Sequence, residues 1–407
     1  MYSSHVYDEN EIELCSPAPS HPVNRRLLLS CLAGGAALAV LHVGVLQPLL
    51  TARRSAVTNR VQPLPSSLQA APRTATAGAT DLAEWAPFRN RFITAEGRVV
   101  DTGNGGVSHS EGQGYGMLLA AWADDRATFE RLLGWTQANL SRPKDALHAW
   151  RWQPGLPNPV PDTNSATDGD IMIAWALLRA GERWNMPAWH KAGLAIADDL
   201  LRLSTREAAG RLFLAPGAHG FDRTGRIVVN PSYSILPAMR AFAEASGDPR
   251  WTRLDRDSLW LIDRARFGAN GLTPDWVEID LSTGAIRLAE GWLERFSWDA
   301  IRVPLYLGWA GETASAGVQA PVRFWNIRKQ GLPIAWIDLR SGELAPYRGH
   351  SGVQAVAELA TALVAADGTP PALPAQAAAP DYYAAALSML ARMAWQEHPR
   401  PVSGAVS

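Results

Sequence analysis

Apolar residues recur along much of this chain at helical spacing. Ile171, Ala174, Trp175 and Leu178 fall at i, i+3, i+4 and i+7, as do Val353, Val356, Ala357 and Ala360, and again Tyr383, Ala386, Leu387 and Leu390. That stripe is what an amphipathic helix buries. Similar runs predict helices over 110–123, 127–140, 187–204, 232–246, 250–266, 299–310 and 316–330. Pro231 and Pro249 suit helix starts. Two pieces, 226–230 and 334–344, read as short β segments, the second containing a turn-prone Arg-Ser-Gly. No βαβ alternation and no G-x-G-x-x-G is present, which disfavours a Rossmann fold. About a dozen helices in roughly 325 residues predict an all-α toroid of helical hairpins, joined by long loops and carrying minor β pieces.

The pattern changes at the N-terminus. Residues 27–50 are apolar all round, hold no acidic residue, Lys or Arg, and follow Arg25 and Arg26. Residues 1–50 are therefore read as an export signal or membrane anchor, with paired arginines that resemble a twin-arginine signal. Residues 51–80, rich in Ala, Pro, Ser, Thr and Arg, read as a flexible linker, and 81–400 as one domain. The expected location is periplasmic or secreted, with membrane contact only through 27–50 if that segment is retained.

Composition narrows the chemistry. With 38 Lys+Arg against 39 Asp+Glu the net charge is −1, and a nucleic-acid partner is not expected. Cys15 and Cys31 are the only thiols, so a disulfide scaffold, a Cys-based zinc site and a thiol nucleophile are excluded from the body. The nine His show no metal-ligand spacing; no metal and no cofactor are expected. There are 17 Trp, as many as the 8 Tyr and 9 Phe together.

Carboxylates gather where helices begin. Glu111 lies in SEGQGYGM at 110–117 among glycines, which let backbone approach a ligand; a plain role beside the helix dipole is the alternative. Asp168 and Asp170 precede a helical run, where N-capping or a metal-holding D-x-D are alternatives. The metal reading would make a nucleotide-sugar glycosyltransferase, but the chain lacks a nucleotide-binding pattern. Asp299 and Arg302, at i and i+3, share a helix face, so the guanidinium can keep a general base ionised; a surface ion pair is the alternative.

The run A-T-D-G-D-x-x-I-A-x-A-L-L-x-A-x-x-x-W, from Ala166 to Trp184, resembles the signature of glycoside hydrolase family 8. SEGQGYGM, the NPSY block at 230–233 and D-A-x-R at 299–302 follow in the order of that family's motifs. The resemblance covers about residues 85–396. Compact length, the WDAIR and PDW phrasing and the lack of an attached carbohydrate-binding module make the chain most similar to the periplasmic endoglucanases that accompany bacterial cellulose synthase.

That resemblance implies an (α/α)6 barrel and an endo-β-1,4-glucanase working with inversion on cellulose-type β-glucan, with a cellulose synthase complex as a possible partner. Glu111 would be the general acid and Asp299 the general base, while Asp168 would hydrogen-bond the sugar at the cleaved bond. An acid needs a raised pKa and a base the reverse, which Arg302 would supply. Trp150, Tyr115, Tyr233, Trp152 and Trp276 are candidates for a stacking platform, with Trp298 beside them, since indole faces pack on the C–H faces of glucose. Trp175 and Trp184 are assigned to the core. Chitosan, xylan or mixed-linkage β-glucan are alternative substrates, and a non-catalytic glucan-binding protein is an alternative of another class.

Overall fold

The computed structural model describes residues 78–326 and 331–399; the leader at 27–50 and nearly all of the 51–80 segment lie outside the described residues. Eleven α-helices are found among the described residues: α1 Ala79–Phe92, α2 Ser110–Trp122, α3 Arg126–Leu140, α4 Thr167–Arg183, α5 Pro187–Leu203, α6 Leu236–Ser246, α7 Pro249–Arg264, α8 Arg302–Trp309, α9 Ala316–Asn326, α10 Ser351–Ala365 and α11 Tyr382–Glu397. Neighbours in sequence pack as hairpins, α2 with α3, α4 with α5, α6 with α7 and α8 with α9; α10 and α11 run side by side in the same direction, Gly352 at the start of one meeting Ala384 at the start of the other, and α1 lies on α11. The helices α2, α4, α6, α8, α10 and α11 also touch in turn, and α11 meets α2 to close a ring of six. This is the expected (α/α)6 barrel.

Burial separates the two layers. Every residue of α2 except Glu111 is buried, and α8 is buried throughout. A helix apolar all round belongs inside, whereas a one-sided stripe marks an outer helix. α7 is of the second kind, burying Trp251, Leu254, Ser258, Leu261 and Ile262. Asp248 caps α7 ahead of Pro249, Asp125 caps α3, and Asp381 caps α11. Trp175 lies in the core as expected; Trp184 is half-buried against Phe129 and Trp189.

Four expectations are corrected. Asp168 and Asp170 lie inside the first turn of α4, whose N-cap is Ala166, so neither is a cap. The 232–246 helix is split: the Asn230 side chain accepts from the Ser232 amide and winds Pro231–Tyr233 into a 3₁₀ turn, so α6 starts at Leu236. Asp299 sits in a turn before α8, which begins at Arg302. In 334–344 only Ile337–Asp338 (β6) pairs regularly, with Arg295–Phe296 (β5). The Asp338 carboxylate accepts from the Arg340 and Ser341 amides and turns the chain instead.

The 226–230 piece is a strand, β2 (Arg226–Val229), in a four-stranded antiparallel sheet with β1 (Asp222–Arg223), β3 (Val277–Asp280) and β4 (Ile286–Leu288). Ile227, Val229, Val277 and Ile279 of this sheet pack on Leu261 of α7 and Ala265 just beyond it. The sheet carries residues 275 and 276 up to the turn that holds Asp299. Among the described residues, no helix is long and apolar enough to cross a membrane.

Candidate active site

The N-terminal ends of the inner helices converge on one cleft of about 230 Å³. Ser110 and Glu111 come from α2, Asp168 from α4, Tyr233 from the turn before α6, Asp299 from the turn before α8 and Arg302 from the start of α8. First-turn carboxylates are favoured there by the helix dipole.

On the acid side, packing sets the geometry. A Cβ on Gly169 would meet Ser110 Oγ at 2.1 Å and the Glu111 amide nitrogen at 2.6 Å; one on Gly114 would meet the Met172 Cβ at 2.6 Å. Gly114 and Gly169 therefore let α2 and α4 approach each other, while Gly112 and Gly116 face Tyr382, Val99 and Leu132 rather than a ligand. That contact brings Glu111 next to Asp168.

Tyr115, one turn after Glu111, is fully buried and is not a stacking surface. Its hydroxyl donates to Glu111 Oε1 at 2.8 Å and meets the Tyr306 hydroxyl at 2.8 Å. Burial, with Tyr306 and Tyr383 nearby, raises the Tyr115 pKa well above its ordinary value, so it stays a donor.

Arg302 joins the two sides. Nη1 contacts Glu111 Oε1 and lies 3.4 Å from Asp168 Oδ2; Nη2 is 2.6 Å from Asp299 Oδ1 and 3.1 Å from Ser232 Oγ. The Asp299–Arg302 pair is thus no surface pair, since Arg302 is 3% exposed. The expectation that it holds the base at low pKa is corrected. Burial, with the Asp275 charge behind it, pushes Asp299 up to about 8, although the Asn230 and Trp276 side chains beside it act in the opposite direction. Burial and the Asp299 charge push Asp168 up to about 8 as well. One guanidinium is shared by three carboxyls, so the cluster keeps protons that a one-to-one pair would release.

Aromatic residues divide as follows. Trp150 lines the cleft, parallel to His109 with centroids 6.4 Å apart, its indole N–H on Asp162 at 2.9 Å. Trp298 and Tyr233 line it too. Trp152 instead lies under the Arg98 guanidinium and edge-on to Trp135. Trp276 is buried, stacked on Trp292 at 3.9 Å, and serves Asp299 through its side-chain hydrogen bond.

The sequence reading missed Asp101, Asp381 and Tyr383, which line the far wall. Burial, with the charge of Asp381 adding, pushes Asp101 up to about 6. Asp381 could have been found as a cap before a helical stripe; Asp101, in a Gly- and Asn-rich loop, carried no signal. Asp168 and Asp170 do not converge on an ion. Two residues apart on a helix they face different sides, and Asp170 Oδ1 takes both the amide and Nδ1 of buried His148. Among the described residues no cluster of three His, Cys, Asp or Glu is arranged to hold a metal.

A helical barrel with several carboxyls and indoles around a sugar-sized cleft defines a class of carbohydrate-active enzymes. The profile of Glycosyl hydrolases family 8 matches residues 64–398, and the chain belongs to that family. It is 45% identical over 315 residues to a probable endoglucanase of Novacetimonas hansenii, covering 77% of this chain and 90% of the relative. An endoglucanase of Cellulomonas uda is 40% identical, covering 68% and 76%. The solved endo-β-1,4-glucanase CMCax from Acetobacter xylinum matches with a TM-score of 0.74 and 43% identity, covering 78% of this chain and 98% of that one. The protein is a glycoside hydrolase.

Proposed function

We propose that this enzyme is an exported endo-β-1,4-glucanase that hydrolyses cellulose-type β-glucan with inversion, Glu111 acting as general acid and Asp299 as general base. The observation that carries the reading is the meeting of Glu111 and Asp299 on one buried guanidinium at the floor of an indole-lined cleft. The relatives named above support the substrate class.

Water attacks the anomeric carbon from the Asp299 side and gives up a proton to that carboxylate. As the C–O bond breaks, Glu111 delivers its proton to the departing glycosidic oxygen. The inverting geometry needs carboxyls about 6.5–9.5 Å apart to admit the water. Asp168 hydrogen-bonds the sugar at the cleaved bond, and Trp150 stacks on a neighbouring ring.

Arg25, Arg26 and the apolar run 27–50 support export as a cleaved leader or an anchor, with 51–80 as linker. Work beside a cellulose synthase complex rests on the sequence resemblance. The assay is reducing-end release from carboxymethylcellulose beside chitosan, xylan and mixed-linkage glucan. Glu111→Gln and Asp299→Asn should each lower kcat on the cellulosic substrate by at least about 10²–10⁴-fold. Unchanged hydrolysis in either variant would overturn the assignment.

A further inference from the structure

Asp299 does not stand on a helix but in a turn closed by the Ile301 amide on the Ser297 carbonyl and the Arg302 amide on the Asp299 carbonyl, both at 3.0 Å, and those bonds are not all that fixes it. The turn is held from a distant piece of chain. Asp275 is 4% exposed. Its Oδ1 accepts from the Ser297 amide at 3.0 Å and from the Ala300 amide at 2.7 Å, and its Oδ2 from the Ser297 hydroxyl. Those amides lie on either side of Asp299. The Asp275 amide donates to the Arg295 carbonyl at 2.8 Å, and Trp276, the next residue, bonds the Asp299 carboxylate itself.

We propose that Asp275 is a positioning residue for the reaction: it seats the turn that presents Asp299 and places a second negative charge directly behind the base. This inference rests on Asp299 being the base. A carboxylate that accepts two backbone N–H groups and a hydroxyl fixes a turn without a helix, and its charge opposes ionisation of a neighbouring carboxyl. The groups facing Asp299 come from every packed element: Arg302 and Tyr306 of α8, Asp168 of α4, Tyr383 of α11 and Asp275 itself, with Glu111 reached through Arg302 and Arg295 facing Asp275. Of the carboxyls in that set, Asp275 alone holds the turn by its backbone.

The test uses the full chain and carboxymethylcellulose. In Asp275→Asn the amide oxygen still accepts from both backbone amides, and Ser297 can reverse its hydroxyl to accept from the new NH₂. The seat is kept and the charge is lost. The ascending limb of the kcat/KM–pH profile should move to lower pH, by on the order of one unit. Asp275→Ala loses the seat too, and kcat should fall about 10²-fold with KM little changed. If Asp275→Asn and wild type give superimposable profiles while Asp299→Asn is inactive, the inference is overturned and the base assignment stands. An active Asp299→Asn overturns both.

Discussion

The two sides of the cleft are built by different means. Glu111 is the one residue of α2 that is not buried, on a helix pressed against α4 through Gly114 and Gly169. Its position is set by close packing between rigid elements. Asp299 stands on an irregular turn seated by hydrogen bonds to Asp275, which the β-sheet carries in together with Trp276. Packing positions a group at the cost of tolerating no added volume, whereas hydrogen bonds position it through single atoms that can be removed one at a time. On the acid side, then, stability and activity should fall together. On the base side they should separate.

The largest effect is expected from Gly169→Ala. Its Cβ meets Ser110 and the Glu111 backbone, and neither can yield without moving α2. A loss of about 1–3 kcal/mol in unfolding free energy should accompany a fall in kcat of about 10²-fold. Denaturant melts and steady-state kinetics on one preparation check this, and a variant as stable as wild type would break the comparison. Trp276→Phe should act in the opposite way. Phe keeps a ring against Trp292 and removes the indole donor to Asp299, so kcat should drop about tenfold while the melting temperature changes by only a degree or two.

The smallest effect concerns the protons both sides share. Asp168 and Asp299 are raised to about 8 in the folded enzyme, against an ordinary carboxyl pKa near 4 in the unfolded chain. Between those values the folded state binds more protons than the unfolded one, so stability falls as pH rises from about 4 to about 8. Asp168→Asn and Asp299→Asn should each flatten that slope and raise the melting temperature at pH 8 by a few degrees. Calorimetry across this range decides it; a wild-type enzyme that gains stability with pH there would contradict the shared-cation account.

Much of this was legible in sequence, and the reason differs by side. The helical stripes marked most helices, and the three motifs marked Glu111, Asp168 and Asp299, because each of those signals is local. Contacts across the barrel were not legible. The i, i+3 spacing gave Arg302 one partner, while closure of the ring gives it Glu111 and Asp168 as well. Gly112 and Gly114 read as room for a ligand because what fills that room, Tyr382 and the helix α4, lies more than 40 residues further along the chain. PDW drew attention for its indole; that its Asp holds the turn 297–300 follows only from the sheet that brings the two together. The β-like piece at 334–344 failed because the Asp338 side chain competes locally for backbone amides.

The central claim is that Glu111 and Asp299 act from opposite faces of the sugar in a single displacement. Proton NMR of a soluble β-1,4-glucan in the first minutes of hydrolysis tests it most directly, before mutarotation mixes the products. The account predicts that the first new reducing ends are α-anomers. Accumulation of β-anomers first would mean retention and would contradict it.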